Sequence, residues 1–187
     1  QQIKQWQLMG HPVVNVSVNV SCVQLARANM YQVIQDCLKE TGLSAALLTV
    51  EVTESSILQG SDSIVQLEKL QSAGIRIALD DFGTGYSSLS ALRGLPINEL
   101  KIDKSFITDL SSGKDGEAIV SAIIAMAHQL GLQVVAEGVE TFAELNFLEQ
   151  TNADIIQGYY FSKPMSGANF IAFLLANLNC NNAVKVM

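Results

Sequence analysis

The chain has 187 residues, of which 49% are hydrophobic, and a formal net charge of -7. That length and composition supply a substantial core and one domain. The acidic balance argues against a nonspecific grip on DNA or RNA, which needs clustered lysine and arginine.

No apolar run approaches the ~18 residues of a membrane helix; the longest, Ala118 to Ala127, is interrupted by Ser121. The opening Gln1-Gln2-Ile3-Lys4 lacks signal-peptide character. Cys22, Cys37 and Cys180 lack paired short spacing and indicate neither a disulfide framework nor a zinc ribbon. The expected setting is the reducing cytoplasm, including the cytoplasmic part of a membrane-anchored protein.

In chain order, residues 1 to 9, with Ile3, Trp6 and Leu8 among polar neighbours, read as the tail of a helix. A strand near Val13 to Val20 follows, then a helix from Val23 to Glu40 and a strand from Leu47 to Val52. The pattern continues with a helix from Asp62 to Ala73, a strand from Ile75 to Asp80, a helix from Ser87 to Leu92 and a strand from Glu99 to Ile102. A helix from Gly116 to Leu130, a strand from Gln133 to Ala136, a helix from Phe142 to Gln150, a strand from Asp154 to Ile156 and a helix from Ala168 to Leu178 complete it. Gly42, Gly74 and Gly131 each stand between a helix and a strand, where a left-handed C-terminal residue is expected.

Repeated βα units predict a parallel sheet with right-handed crossovers, open or closed into a barrel. No G-x-G-x-x-G follows the first strand, which disfavours a dinucleotide fold. Asn15, Ser17 and Asn19 alternate with Val14, Val16, Val18 and Val20, as in a barrel with a polar mouth and helices outside. The predicted fold is a TIM-like (β/α)8 barrel that is incomplete, with about six βα units where eight are needed. The expectation is a single domain over residues 1 to 187, truncated at its N-terminal strands.

Polar residues collect at one end of these strands: Asn19, Glu51, the pair Asp80 and Asp81, Lys101, Glu137 and Gln157. In a parallel barrel those ends share one face, where active sites are built. Asp80-Asp81-Phe82-Gly83 alone reads equally as an exposed turn. Glu51 and Lys101, however, sit inside apolar strands, where an unpaired charge is costly. Two readings remain: a purely structural ion-pair network, or a site for hard divalent cations held by oxygen.

Four carboxylates and an amide suit two magnesium or manganese ions, with Asp80 able to bridge them. Such a pair activates water and stabilises in-line displacement at a phosphodiester. Lys101 would orient that water or bind a phosphate oxygen. His128, in a helical stretch, reads as a surface or satisfied core residue rather than a ligand. Glu54, and Glu140 three residues after Glu137, read as supporting acids or helix caps.

Asn19-Val20-Ser21, Glu51-Val52-Thr53-Glu54, Asp80-Asp81-Phe82-Gly83-Thr84-Gly85-Tyr86-Ser87-Ser88-Leu89, Leu100-Lys101-Ile102-Asp103, Ala136-Glu137-Gly138-Val139-Glu140-Thr141 and Gln157-Gly158-Tyr159-Tyr160 resemble, in order and spacing, the EAL-domain family of bacterial cyclic-di-GMP phosphodiesterases. The resemblance implies magnesium- or manganese-dependent hydrolysis of cyclic-di-GMP to linear pGpG. It implies metal positions at Asn19, Glu51, Asp80, Asp81 and Glu137, with Lys101 and Glu137 in catalytic roles and Gln157 lining the substrate site. Glu54 corresponds to the glutamate that steadies the loop after the paired aspartates, and Glu140 to a supporting acid.

The resemblance further implies a homodimer, with sensory or cyclase domains flanking this one in a longer protein. The Glu-Ala-Leu motif that names the family is absent from the sequence, so weak or no turnover is expected of the chain by itself. A non-catalytic cyclic-di-GMP receptor, a dimerisation scaffold and a metal-dependent barrel acting on a sugar phosphate are the alternatives.

Overall fold

The structure is a computed structural model, and it describes residues 1–27, 29–58, 61–83, 92–110 and 113–178. Six parallel strands form one curled sheet whose spatial order equals the chain order. They are β1 (Val16–Asn19), β2 (Leu48–Thr53), β3 (Arg76–Phe82), β4 (Glu99–Ile102), β5 (Gln133–Ala136) and β6 (Ile155–Ile156). The architecture is the expected incomplete TIM-like barrel.

The helices among the described residues are α1 (Gln2–Leu8), α2 (Cys22–Leu25), α3 (Met30–Thr41), α4 (Glu54–Leu58), α5 (Ser61–Ser72), α6 (Lys104–Asp109), α7 (Lys114–Gln129), α8 (Phe142–Gln150) and α9 (Gly167–Leu178). The core forms on one face of β3 to β5, where every second residue is aliphatic, while the opposite face carries Asp80, Glu99 and Lys101 beside Ala78 and Val135. Ile77, Leu79, Leu100, Ile102, Val134 and Ala136 are buried, joined by Leu67 and Leu70 of α5 and Val120 and Ile124 of α7.

Several elements differ from the sequence expectation. The first strand is only Val16–Asn19, and its residues are largely exposed because β2 is its single neighbour. The helix expected over Val23 to Glu40 is two helices: Ser21 and Gln24 form a capping box that starts α2, and Asn29, at φ -104° and ψ 6°, precedes α3. The third strand runs two residues beyond Asp80, to Phe82. The helix expected over Ser87 to Leu92 lies almost wholly outside the described residues. Gly42, Gly74 and Gly131 have the positive φ expected of them.

Between β3 and β4 the register shifts: Leu79 pairs with Leu100, but Phe82 pairs with Ile102. One extra residue is thus accommodated around Asp80 and Asp81, and Asp81 takes φ 54°. Such bulges re-aim side chains and are frequent beside functional sites. Here the bulge separates two adjacent acids, leaving Asp80 buried and Asp81 exposed.

Candidate active site

Lys101 is the centre of the mouth. Its Nζ lies 2.9 Å from Glu51 Oε2, 2.8 Å from Asp80 Oδ1 and 2.6 Å from Glu137 Oε1, so β4 delivers an ammonium to acids in β2, in β3 and just after β5. These side chains are nearly dry, at 7% relative exposure for Lys101 and 11%, 13% and 19% for Glu51, Asp80 and Glu137. Burial alone would lower the lysine pKa, yet the hydrogen bonds that Lys101 donates to Asp80, Glu137 and Glu51 outweigh it and hold the pKa above the ordinary lysine value. Lys101 is therefore a fixed cation.

Glu137 responds in the opposite way. Burial raises its pKa, Lys101 pulls it back, and the charges of Asp80 and Glu51 raise it further. Gln157, which follows β6, donates from Nε2 at 2.7 Å to the same Glu137 Oε1 that Lys101 contacts, and so fixes the carboxylate with a second donor. Asp81 also lies above the usual carboxylate range, through desolvation first and then the neighbouring charges of Asp80 and Asp103. Asn19 is placed opposite Glu51 by the β1–β2 register, with its side chain exposed.

The supporting acids divide. Glu54 opens α4 and is buried, and neither of its carboxylate oxygens has a hydrogen-bond partner among the described residues. Glu140 accepts from Lys104 Nζ at 2.5 Å. It does not cap the following helix: Thr141 does so, through a capping box in which Glu144 Oε2 accepts the N–H groups of Thr141 and Glu140. His128 pairs with Asp154 at 2.9 Å, away from the acid cluster. Asp103 caps α6 by accepting from the Ser105 N–H and hydroxyl.

The donor set fits hard divalent cations in type and charge. Three carboxylates surround one ammonium, an excess of two negative charges that an oxygen-seeking dication would compensate. Beyond its contact with Lys101, Asp80 Oδ1 is buried and accepts no hydrogen bond among the described residues, which leaves it open to a cation. Among those residues no three acids, histidines or cysteines stand as a ready-made metal cage, because the acids turn to Lys101.

Fold and site together define an incomplete parallel β/α barrel domain with a cluster of acids around one buried lysine at its strand ends. The chain belongs to the EAL-domain family, whose model matches residues 1–164. It is similar to the cyclic di-GMP phosphodiesterase NbdA of Pseudomonas aeruginosa, with 42% identity over 175 residues that cover 93% of this chain and 22% of NbdA. It is also similar to the PaMucR phosphodiesterase solved in complex with c-di-GMP, at 42% identity and a TM-score of 0.85 over 90% of this chain and 69% of that one. The Klebsiella pneumoniae BlrP1 complex with calcium and cy-diGMP superposes with a TM-score of 0.78 at 31% identity, over 87% of this chain and 41% of that one. The chain spans 22–25% of the length of the first three curated relatives it matches.

Two contributors near the mouth escape the sequence reading: Lys104 and Phe106 of α6. A usable signal existed for Lys104, because Lys101 and Lys104 repeat the three-residue step of Glu137 and Glu140.

Proposed function

We propose that this domain hydrolyses cyclic-di-GMP at one phosphodiester to linear pGpG, with magnesium or manganese held by Asn19, Glu51, Asp80, Asp81 and Glu137. The observation that carries the reading is the convergence of Glu51, Asp80 and Glu137 on Lys101. It is supported by the relatives, named as cyclic di-GMP phosphodiesterases or solved with the dinucleotide. Paired divalent ions supply charge neutralisation at the phosphate and an activated water.

The chain's own residues do the rest. Lys101 keeps three like-charged side chains together and presents a permanent cation toward an anionic phosphodiester. Glu137, with its raised pKa, is the proton acceptor nearest that cation, and the Gln157 amide keeps its carboxylate in one orientation. One ammonium among three carboxylates leaves the mouth net negative, so binding of a dianionic dinucleotide is expected to depend on added divalent ions. The domain is read as cytoplasmic and homodimeric, within a longer chain that carries sensory or cyclase modules.

The test is chromatography of cyclic-di-GMP incubated with manganese and the full-length protein, alongside its Glu137→Gln variant. Production of pGpG that disappears in the variant supports hydrolysis. Tight dinucleotide binding without product over hours selects the receptor reading, and absence of binding selects the scaffold. The 187 residues contain no Glu-Ala-Leu sequence, so this chain alone is expected to turn over more slowly than one extended upstream. Equal rates contradict that expectation.

A further inference from the structure

We infer that the first turn of α6 is a bracket that sets the spacing of the acid-bearing strand ends on either side of β4, at Gly83 beyond β3 and Gly138 beyond β5, with Lys104 as a positioning residue for Glu137. Asp80 and Glu137 both bind Lys101, yet their strands β3 and β5 are not neighbours, because β4 lies between them. Something must fix the two flanking loops relative to β4. The short helix that follows β4 touches both.

The contacts are close. A Cβ built on Gly83, just beyond Asp80 and Asp81, would lie 2.6 Å from Phe106 Cε2 and Cζ. A Cβ built on Gly138, just beyond Glu137, would lie 2.4 Å from Lys104 Cγ. Both glycines have positive φ, 96° and 73°, so each loop turns its bare backbone onto an α6 side chain. Phe106 abuts the backbone at Gly83, just beyond Asp80 and Asp81, and Lys104 the backbone at Gly138, just beyond Glu137.

Lys104 then continues to Glu140 at 2.5 Å, so the β4–α6 and β5–α8 junctions meet in two rungs. The inner rung, Lys101 with Glu137, is nearly dry. The outer rung, Lys104 with Glu140, is 54% and 45% exposed. An exposed pair contributes little to global stability, so the outer rung acts on position. The loop is also tied to the end of β6, where Val139 N–H donates to Gln157 O at 3.1 Å, and to Glu144 of α8. Lys104 supplies the remaining side of a three-sided grip, and groups that orient a metal ligand from outside govern cation affinity.

The test uses Lys104→Met, which keeps much of the stem but removes the charge, Lys104→Ala, which removes both, and Lys104→Arg as the conservative rescue. Amide hydrogen exchange of the metal-free protein reads the loop, and manganese titration followed by electron paramagnetic resonance reads the mouth. Exchange should quicken at Gly138 to Thr141, more in Lys104→Ala than in Lys104→Met, with Leu100 and Ile102 unchanged. Manganese affinity should fall about tenfold, the lower end for an outer-shell ligand support, and recover in Lys104→Arg.

Loop exchange and manganese affinity both at parental values in Lys104→Ala would overturn the bracket. So would uniform acceleration across the core with a lowered melting point, since that is general destabilisation. The manganese arm rests on the cation-site reading, whereas exchange in metal-free protein does not. A parent that binds no manganese refutes that reading and leaves the exchange result to decide the bracket.

Discussion

Replacing Lys101 by methionine keeps most of the side-chain volume and removes the only ammonium within ion-pairing distance of Glu51, Asp80 and Glu137 among the described residues. The cluster then holds three carboxylates with no cation. Removing one member of a buried ion pair costs about 3–5 kcal/mol, because its partner is left charged and uncompensated. With these side chains 7–19% exposed, solvent screening reduces that figure only modestly. For a domain of this size each kcal/mol moves the melting point about 2–4 °C, so the drop should be roughly 6–20 °C in chelator. A divalent ion should return much of it, since a ligand at 100 times its dissociation constant adds about 2.7 kcal/mol. The parent, whose acids already have Lys101, should gain less. Melting curves by circular dichroism, for both proteins with EDTA and with magnesium, measure all four values. A drop below about 2 °C in EDTA, smaller than one kcal/mol predicts, would refute the account of the cluster. Equal magnesium shifts in the two proteins would refute the claim that cation and ammonium serve the same acids.

Gly158→Ala places a Cβ 2.1 Å from Val139 O and 2.3 Å from Val139 N, two groups already bonded to Tyr160 N–H and Gln157 O. Overpacking of 1–3 kcal/mol plus two strained backbone bonds of about 1 kcal/mol each predicts a loss of about 3–5 kcal/mol by urea denaturation. Gly10→Ala, with φ 77° but nothing within 4 Å, should lose only about 1–2 kcal/mol; equal losses would contradict the steric argument. Asp103→Ala removes the α6 cap and should cost about 1 kcal/mol at neutral pH. The folded Asp103 pKa is lowered, by the Ser105 hydroxyl bond first. Its contribution is therefore complete above the unfolded value and disappears as pH falls through the lower folded one. A deficit that stays constant down to strongly acid pH would count against the cap.

The central strands were legible because each is an apolar run bounded by turn residues, and the mouth because an acid or lysine inside such a run needs a partner. Glu51 and Lys101 announced each other in this way. Asp80 and Asp81 announced an acidic strand end but not the bulge that parts them, since the register shift depends on β4. The long helix expected from Val23 was wrong at Asn29, where a polar residue with non-helical backbone interrupts an otherwise continuous apolar stripe. Helices α4 and α6 span five and six residues, too short for a 3.6-residue period to show. At Gly138 and Gly158 only the packing reveals that the Lys104 stem and the Val139 backbone occupy the space a side chain would need.

The left-handed backbone at Asp81 narrows the mutational routes open to this position. A residue at φ 54° pays a penalty unless it is glycine, asparagine or aspartate, about 1–2 kcal/mol for the rest. Asparagine and glycine can therefore silence the acid while the fold survives, whereas a β-branched residue damages both together. Asp81→Asn should melt within a degree or so of the parent and Asp81→Val several degrees lower, by the same scale of 2–4 °C per kcal/mol. Any descendant of this chain that loses the acid at position 81 while keeping its barrel has its easiest path through those two substitutions, a constraint imposed by the main chain before any selection on function.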